Sequence, residues 1–162
     1  MDPLAAKKRG TRRKLNLSEV IKRALSVFEK EIEAQKIETY VHCPENIHYL
    51  GWYQDFYAIF VNLIDNSIYW LAQKDPGERK ILFEVQETNR GFCLDYRDSG
   101  PGISVDLLES GVIFEPEFST KPQDQGTGLG LSIAGEAATR NNMTLTAVQS
   151  NNGAHFVLIT DE

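Results

Sequence analysis

From Leu17 the apolar residues Val20, Ile21, Ala24, Leu25, Phe28 and Ile32 fall at three- and four-residue steps. That spacing predicts an amphipathic helix, and Asn16 or Ser18 is placed to cap its start. The period then shortens to two: residues 38–43 and 47–50 alternate around the turn Pro44-Glu45-Asn46, which predicts two short strands. The longest predicted helix runs from about residue 52 to 73. Its stripe of Phe56, Ile59, Phe60, Leu63, Ser67 and Leu71 should face a sheet, while Asn62, Asn66, Tyr69, Trp70 and Gln73 lie on another face. Gln73 there reads as solvent exposure. Asparagine is a poor helix former, so two of them one turn apart need another reason. Lys74-Asp75-Pro76-Gly77 ends the helix, and strands are predicted at 80–86 and 91–96. Residues 104–125 read as irregular apart from one helical turn at 105–108, and a loop this long inside a compact domain is a functional one. A last helix runs to about Arg140, ended by Asn141-Asn142 in a left-handed turn. Strands at 143–149 and 154–160 follow, joined by Ser150-Asn151-Asn152-Gly153.

The 162 residues suit one domain with a proper core, and 41% hydrophobic with 25% charged residues is the balance of a globular protein. No apolar run approaches the roughly 20 residues of a membrane span, and the basic N-terminus is not a signal peptide. A cytoplasmic domain is expected, with any membrane attachment outside this chain. Cys43 and Cys93 are expected to be reduced and buried. The net charge of −6 hides a split: Lys7, Lys8, Arg9, Arg12, Arg13 and Lys14 are six of the 17 basic residues, and residues 15–162 carry 11 basic against 22 acidic groups. So acidic a body argues against a nucleic-acid surface. The basic segment reads as a solvated connector from something upstream, with a nucleic-acid or membrane arm as the alternative. The expected organisation is a linker at 1–15 and one domain at 16–162.

Three stretches carry candidate chemistry. In Gly126-Thr127-Gly128-Leu129-Gly130-Leu131-Ser132-Ile133 the alternating glycines let backbone N–H groups approach an anion as a helix begins. A polar loop, Lys121-Pro122-Gln123-Asp124-Gln125, leads into it where a dinucleotide fingerprint would have a strand, and the lysine of a Walker loop is missing. Alone, it is either an anion-binding helix start or a flexible glycine-rich loop. Asp98 precedes Gly100-Pro101-Gly102, where the backbone passes close under a flat ligand and an acceptor-only carboxylate reads an amino group such as adenine's. Asn66 offers a side-chain oxygen to Mg²⁺, which prefers a few protein oxygens plus water and substrate phosphates.

Together, Asn62-Leu63-Ile64-Asp65-Asn66-Ser67, Asp98-Ser99-Gly100-Pro101-Gly102-Ile103, Ile113-Phe114-Glu115-Pro116-Glu117-Phe118-Ser119-Thr120-Lys121 and the glycine stretch resemble four ordered motifs. These are the N, G1, F and G2 boxes of the ATP-binding domain shared by sensor histidine kinases, gyrase, Hsp90 and MutL, and the likeness is greatest to the kinases. It covers roughly residues 15–160. The resemblance implies an α+β, two-layer sandwich (the Bergerat fold). A mixed, largely antiparallel sheet would be covered on one face by three helices, with a mobile ATP lid at 104–125. It implies that Asn66 holds Mg²⁺, that Asp98 binds the adenine amino group, and that Gly100, Gly102 and Ile103 shape the base pocket beside Trp70. Phe114 and Phe118 would anchor the lid. Gly126, Thr127, Gly128, Leu129, Gly130 and Leu131 would cradle the phosphates.

Asn62 and Lys121 are the catalytic candidates, both also against the nucleotide. Lys121 would neutralise phosphate charge. Asn62 stands four residues before the metal asparagine, where the related ATPases place a glutamate base, and an amide there favours phosphoryl transfer over hydrolysis. Asp65 reads as a structural or metal-side partner. Glu117, Tyr69, Asn141-Asn142 and Ala154-His155 depart from the family pattern. The implied function is transfer of the γ-phosphoryl group of Mg-ATP to a histidine on a separate dimerisation domain, with a response regulator downstream. The alternative is a nucleotide switch or a serine-kinase module of the anti-sigma type. His42, His48 and His155 all fall on predicted strands and read as structural or surface residues, so the isolated domain is expected not to phosphorylate itself.

Overall fold

The computed structural model describes residues 10–115 and 130–161. In chain order the elements are β1 (Arg13–Asn16), α1 (Leu17–Val27), α2 (Glu29–Ala34), β2 (Glu38–His42), β3 (His48–Gly51), α3 (Tyr53–Leu71), β4 (Lys80–Thr88) and β5 (Gly91–Asp98). Then follow α4 (Val105–Ser110), α5 (Gly130–Arg140), β6 (Met143–Ala147) and β7 (His155–Thr160), with single 3₁₀ turns at Pro76–Glu78 and Val112–Phe114. Five strands form one sheet in the order β2-β4-β5-β7-β6, in which β2 and β4 run parallel and the other pairs antiparallel.

The period of two decides which side chains face inward. Ile81, Phe83 and Val85 of β4, Phe92, Leu94 and Tyr96 of β5, and Phe156 and Leu158 of β7 are buried beneath the helices. Asp98 continues the inward row of β5 to the strand's end. On the other layer, Leu17, Val20, Ile21 and Ala24 of α1 and Ala134, Ala137 and Ala138 of α5 flank the central α3. Its stripe of Phe56, Ile59, Phe60, Leu63, Ser67 and Leu71 is buried throughout. This is the expected mixed sheet covered on one face by helices, and it puts both ends of the candidate site on α3.

The structure departs from the sequence reading in three places. The continuous pattern from Leu17 to Ile32 is broken at Phe28, whose N–H bonds Leu25 O at 3.0 Å, and α2 restarts after it. That short helix ends on Lys36 at φ +56°, with Ile37 N–H reaching back to Ile32 O at 2.9 Å, a Schellman cap in which lysine stands where glycine is usual. The segment expected to be a linker ends in β1, which pairs antiparallel with β3 and buries Leu15. Ahead of β1, Gly10 O accepts from Trp52 Nε1 at 3.0 Å and the Arg12 guanidinium lies 4.7 Å from the Trp52 ring centroid. Finally, Cys43 and Cys93 are free but only half-buried. Elsewhere Asn16 takes the cap of α1, its Oδ1 accepting Glu19 N–H at 2.9 Å. Residues 1–9 lie outside the described residues.

Candidate functional site

The end of β5 carries the most constrained side chain of the site. Asp98 is buried, and its Oδ1 accepts the backbone N–H groups of Gly100 at 3.0 Å and Ala154 at 3.1 Å. Its Oδ2 accepts from Ser67 Oγ, 2.6 Å away on α3. Burial pushes the carboxyl's pKa up, and the three donated hydrogen bonds oppose that rise. Both glycines of the turn that follows sit tight against their neighbours. A Cβ on Gly100 would lie 3.1 Å from Asp98 Oδ1 and 3.7 Å from the Cβ of Trp70, while Gly102 sits at φ +85° against the backbone of Gly153. Trp70 is half-buried, edge-on to Tyr69 with ring centroids 4.9 Å apart. Ile103 packs on the rim of the core. An open cleft of about 460 Å³ lies beside this turn, lined in part by Lys74, Lys80, Ser99, Pro101 and Gly153.

Two turns back along α3, Asn62 meets the start of α5. Its Nδ2 donates to Ala58 O at 2.7 Å, and a Cβ on Gly130 would come within 3.1 Å of its Oδ1, so the first residue of α5 lies against the amide. The positive end of the α5 dipole is therefore beside Asn62. Asn66 lies one turn further along α3 and is half-buried, on the row that residues four apart share. Asp65, read as a structural or metal-side partner, is exposed. Leu131 packs against the core. Phe114 holds the 3₁₀ turn down, its ring 6.3 Å from that of Phe156 and its Cδ1 close under Gly135. Phe118, Lys121, Gly126, Thr127, Gly128 and Leu129 lie outside the described residues.

The structure thus brings Asp98, Gly100 and Trp70 together at one end of α3, and Asn62 and Gly130 together nearer its middle. Sequence reasoning missed three contributors. Ser67 falls on the predicted apolar stripe, although a hydroxyl on a buried stripe asks for a partner. Tyr96 is two residues before Asp98 on the same strand and so on the same face. Gly153 read as an ordinary turn glycine, and only the fold shows it against the backbone of Asp98. Of the three histidines, His155 Nε2 is 2.7 Å from Asp95 Oδ1 and His48 Nδ1 is 3.0 Å from Asn46 O. Among the described residues no cluster of three or more His, Cys, Asp or Glu is placed to hold a metal, and no helix is long and apolar enough to cross a membrane.

Residues 53–162 match the family model described as histidine kinase-, DNA gyrase B-, and HSP90-like ATPase. The two-component sensor PprA of Pseudomonas aeruginosa is 45% identical over 142 residues, covering 83% of this chain and 15% of that protein. The chain therefore spans only a small part of that relative's length. Among solved structures, the nucleotide-free catalytic domain of histidine kinase ThkA superposes with a TM-score of 0.79 at 26% identity, over 93% of this chain and 95% of that one. ThkA in complex with response regulator protein TrrA superposes with a TM-score of 0.74 at 23% identity, over 93% of this chain and 42% of that one.

Proposed function

The chain belongs to the histidine kinase-, DNA gyrase B-, and HSP90-like ATPase family, and from that premise we propose that it is the ATP-binding catalytic domain of a two-component sensor histidine kinase. It binds Mg-ATP and passes the γ-phosphoryl group to a histidine on a separate dimerisation domain. The observation that carries this reading is that one helix, α3, flanks both a buried amino-reading carboxylate and the start of α5, as base and phosphates at the two ends of one nucleotide require.

The donors present fit such a ligand. Asp98 accepts the 6-amino group, with Gly100, Gly102, Ile103 and Trp70 around the base. Asn66 would supply a neutral side-chain oxygen to Mg²⁺, a cation that prefers a few protein oxygens beside water and substrate phosphates. When bound, Mg²⁺ neutralises charge on the β- and γ-phosphates. Gly126, Thr127, Gly128, Leu129, Gly130 and Leu131 hold the phosphates by backbone N–H groups, Lys121 adds a positive charge, and Phe114 anchors the segment leading to them. Asn62, with its amide nitrogen on Ala58 O and its oxygen at Gly130, has no proton-accepting nitrogen or carboxylate to activate water. Positioning and charge neutralisation then favour an external nucleophile over water. The pairing of ThkA with TrrA supports a response regulator as the downstream partner. The basic segment before β1 connects to the dimerisation domain, and the domain works in the cytoplasm.

The test is to incubate the chain with γ-labelled ATP, Mg²⁺ and the histidine-bearing hairpin encoded in the same gene. Acid-labile label on the hairpin is the expected result. Intact ATP binding with no label on the hairpin, but stable label on a serine-bearing partner, would overturn the kinase reading.

A further inference from the structure

Beneath the base pocket lies a chain of buried hydroxyls. Ser67 Oγ is 2.6 Å from Asp98 Oδ2 and also 2.6 Å from Tyr96 Oη, which in turn is 3.1 Å from Leu63 O. Both side chains are sealed from solvent, Ser67 at 1% and Tyr96 at 0% exposure. Three contacts share two hydroxyl protons, which allows three arrangements; the one with Ser67 donating to Asp98 and Tyr96 to Leu63 O puts no proton between two hydroxyl oxygens 2.6 Å apart, and two others remain. In the first of these, Tyr96 donates to Ser67 and Ser67 donates to Asp98. In the second, Tyr96 donates to Leu63 O, Ser67 donates to Tyr96, and the Ser67 oxygen is left needing a donor from residue 98. Leu63 O already stands in the hydrogen-bond ladder of α3, so the first arrangement strands nothing.

The first arrangement also fixes how many acceptor sites Asp98 has left. An ionised carboxylate offers about four lone-pair directions. Gly100 and Ala154 occupy both on Oδ1, and Ser67 occupies one on Oδ2. One remains. We propose that the Ser67–Tyr96 hydroxyl pair is the specificity-determining element of this pocket, holding Asp98 as an acceptor with a single free lone pair that selects a 6-amino purine over a 6-oxo purine. The proposal rests on Asp98 being the base-reading residue. Burial favours the neutral carboxyl and the Ser67 donor opposes it. Without that donor, Oδ2 turns toward carrying a proton, which suits a 6-oxo base. Replacing Asp98 by asparagine reverses the relay. The side-chain oxygen keeps Gly100 and Ala154, one N–H goes to Ser67, Ser67 donates to Tyr96, and Tyr96 to Leu63 O. The second N–H then faces the base and seeks a 6-oxo group.

The experiment is calorimetric titration of the full chain with ATP and with inosine triphosphate, both with Mg²⁺, in the unmutated protein and in Ser67→Ala, Tyr96→Phe and Asp98→Asn. The two nucleotides share the triphosphate, so the ratio of their affinities cancels any partial loss of folded protein. The unmutated chain is expected to prefer ATP at least tenfold. Ser67→Ala and Tyr96→Phe should each lower that ratio at least threefold, and Asp98→Asn should bring it to one or below. A ratio unchanged in both Ser67→Ala and Tyr96→Phe overturns the relay. Equal binding of the two nucleotides by the unmutated chain overturns instead the reading of Asp98 on which it rests. If Ser67→Ala fails to fold, Tyr96→Phe, which keeps the ring, and Asp98→Asn decide.

Discussion

Gly153 sits at φ +89°, and a Cβ there would collide with the carbonyl oxygen of Asp98. Neither backbone can retreat, because Ala154 N–H bonds Asp98 Oδ1 and Asp98 N–H bonds Ala154 O. Gly153→Ala should therefore lower stability by about 3 kcal/mol or more in urea unfolding, and weaken ATP binding by displacing the turn at 98–102. Asp98 itself gives a pH signature. An acid whose pKa is raised on folding holds its proton better when folded. Its contribution to stability is thus full below the ordinary value of 3.8 and is lost as pH rises through the raised folded value. Unmutated protein should lose stability relative to Asp98→Asn across that window, measured by denaturant titration at stepped pH; a difference independent of pH would contradict the assignment. At this scale the sequence showed most of the base end. The carboxylate ahead of Gly100-Pro101-Gly102 is a local pattern, and Tyr96 shares its face by the strand's period of two, whereas Ser67 and Gly153 reach Asp98 through tertiary packing that no local spacing encodes.

The helices are locked together at the end away from the base pocket. Asp55, in the first turn of α3, is buried and takes Arg140 Nη2 at 3.0 Å and Asn141 Nδ2 at 3.0 Å from the end of α5. Asn141 Oδ1 in turn accepts Trp52 N–H at 3.0 Å, and Tyr49 Oη donates to Asn141 O at 2.7 Å. This network ties the start of α3 to the end of α5, so it sets how Asn62 meets Gly130 at the other end of α5. Removing a buried charged acceptor strands two donors, and Asp55→Ala should cost about 2–4 kcal/mol of stability. ATP affinity should fall with it, as read by calorimetry below the variant's melting range. The long elements were legible because their periodicity ran for several turns or alternations. The break at Phe28 was hidden inside a pattern that stays helical on both sides, and β1 was hidden because four residues with one buried leucine carry too little alternation to be read. The asparagine pair after α5 was expected as a left-handed stop, and Asn142 does sit at φ +59°. That its neighbour Asn141 is a buried cross-brace was not visible in the order of residues.

At the scale of the whole molecule, four short motifs in a fixed order were enough to anticipate the mixed sheet, its helical cover and the family. Each is weak alone, but their order is set by how the chain must pass around one nucleotide. What the motifs could not convey is how the two ends are joined. In the structure α3 spans from the Asn62–Gly130 contact to the Ser67–Asp98 bond, with Asn66 between them, so a single helix joins the two ends of the candidate site. The chain's acidic body offers a polyanion no attraction by net charge, so under the proposed function local donors must supply it. The most direct measurement is a crystal structure of the chain with Mg²⁺ and a non-hydrolysable ATP analogue. The account predicts the 6-amino group within about 2.7–3.2 Å of Asp98 Oδ2, the metal on the side-chain oxygen of Asn66, and the phosphates toward the start of α5. A base bound away from Asp98, or a metal with no contact to Asn66, would contradict it.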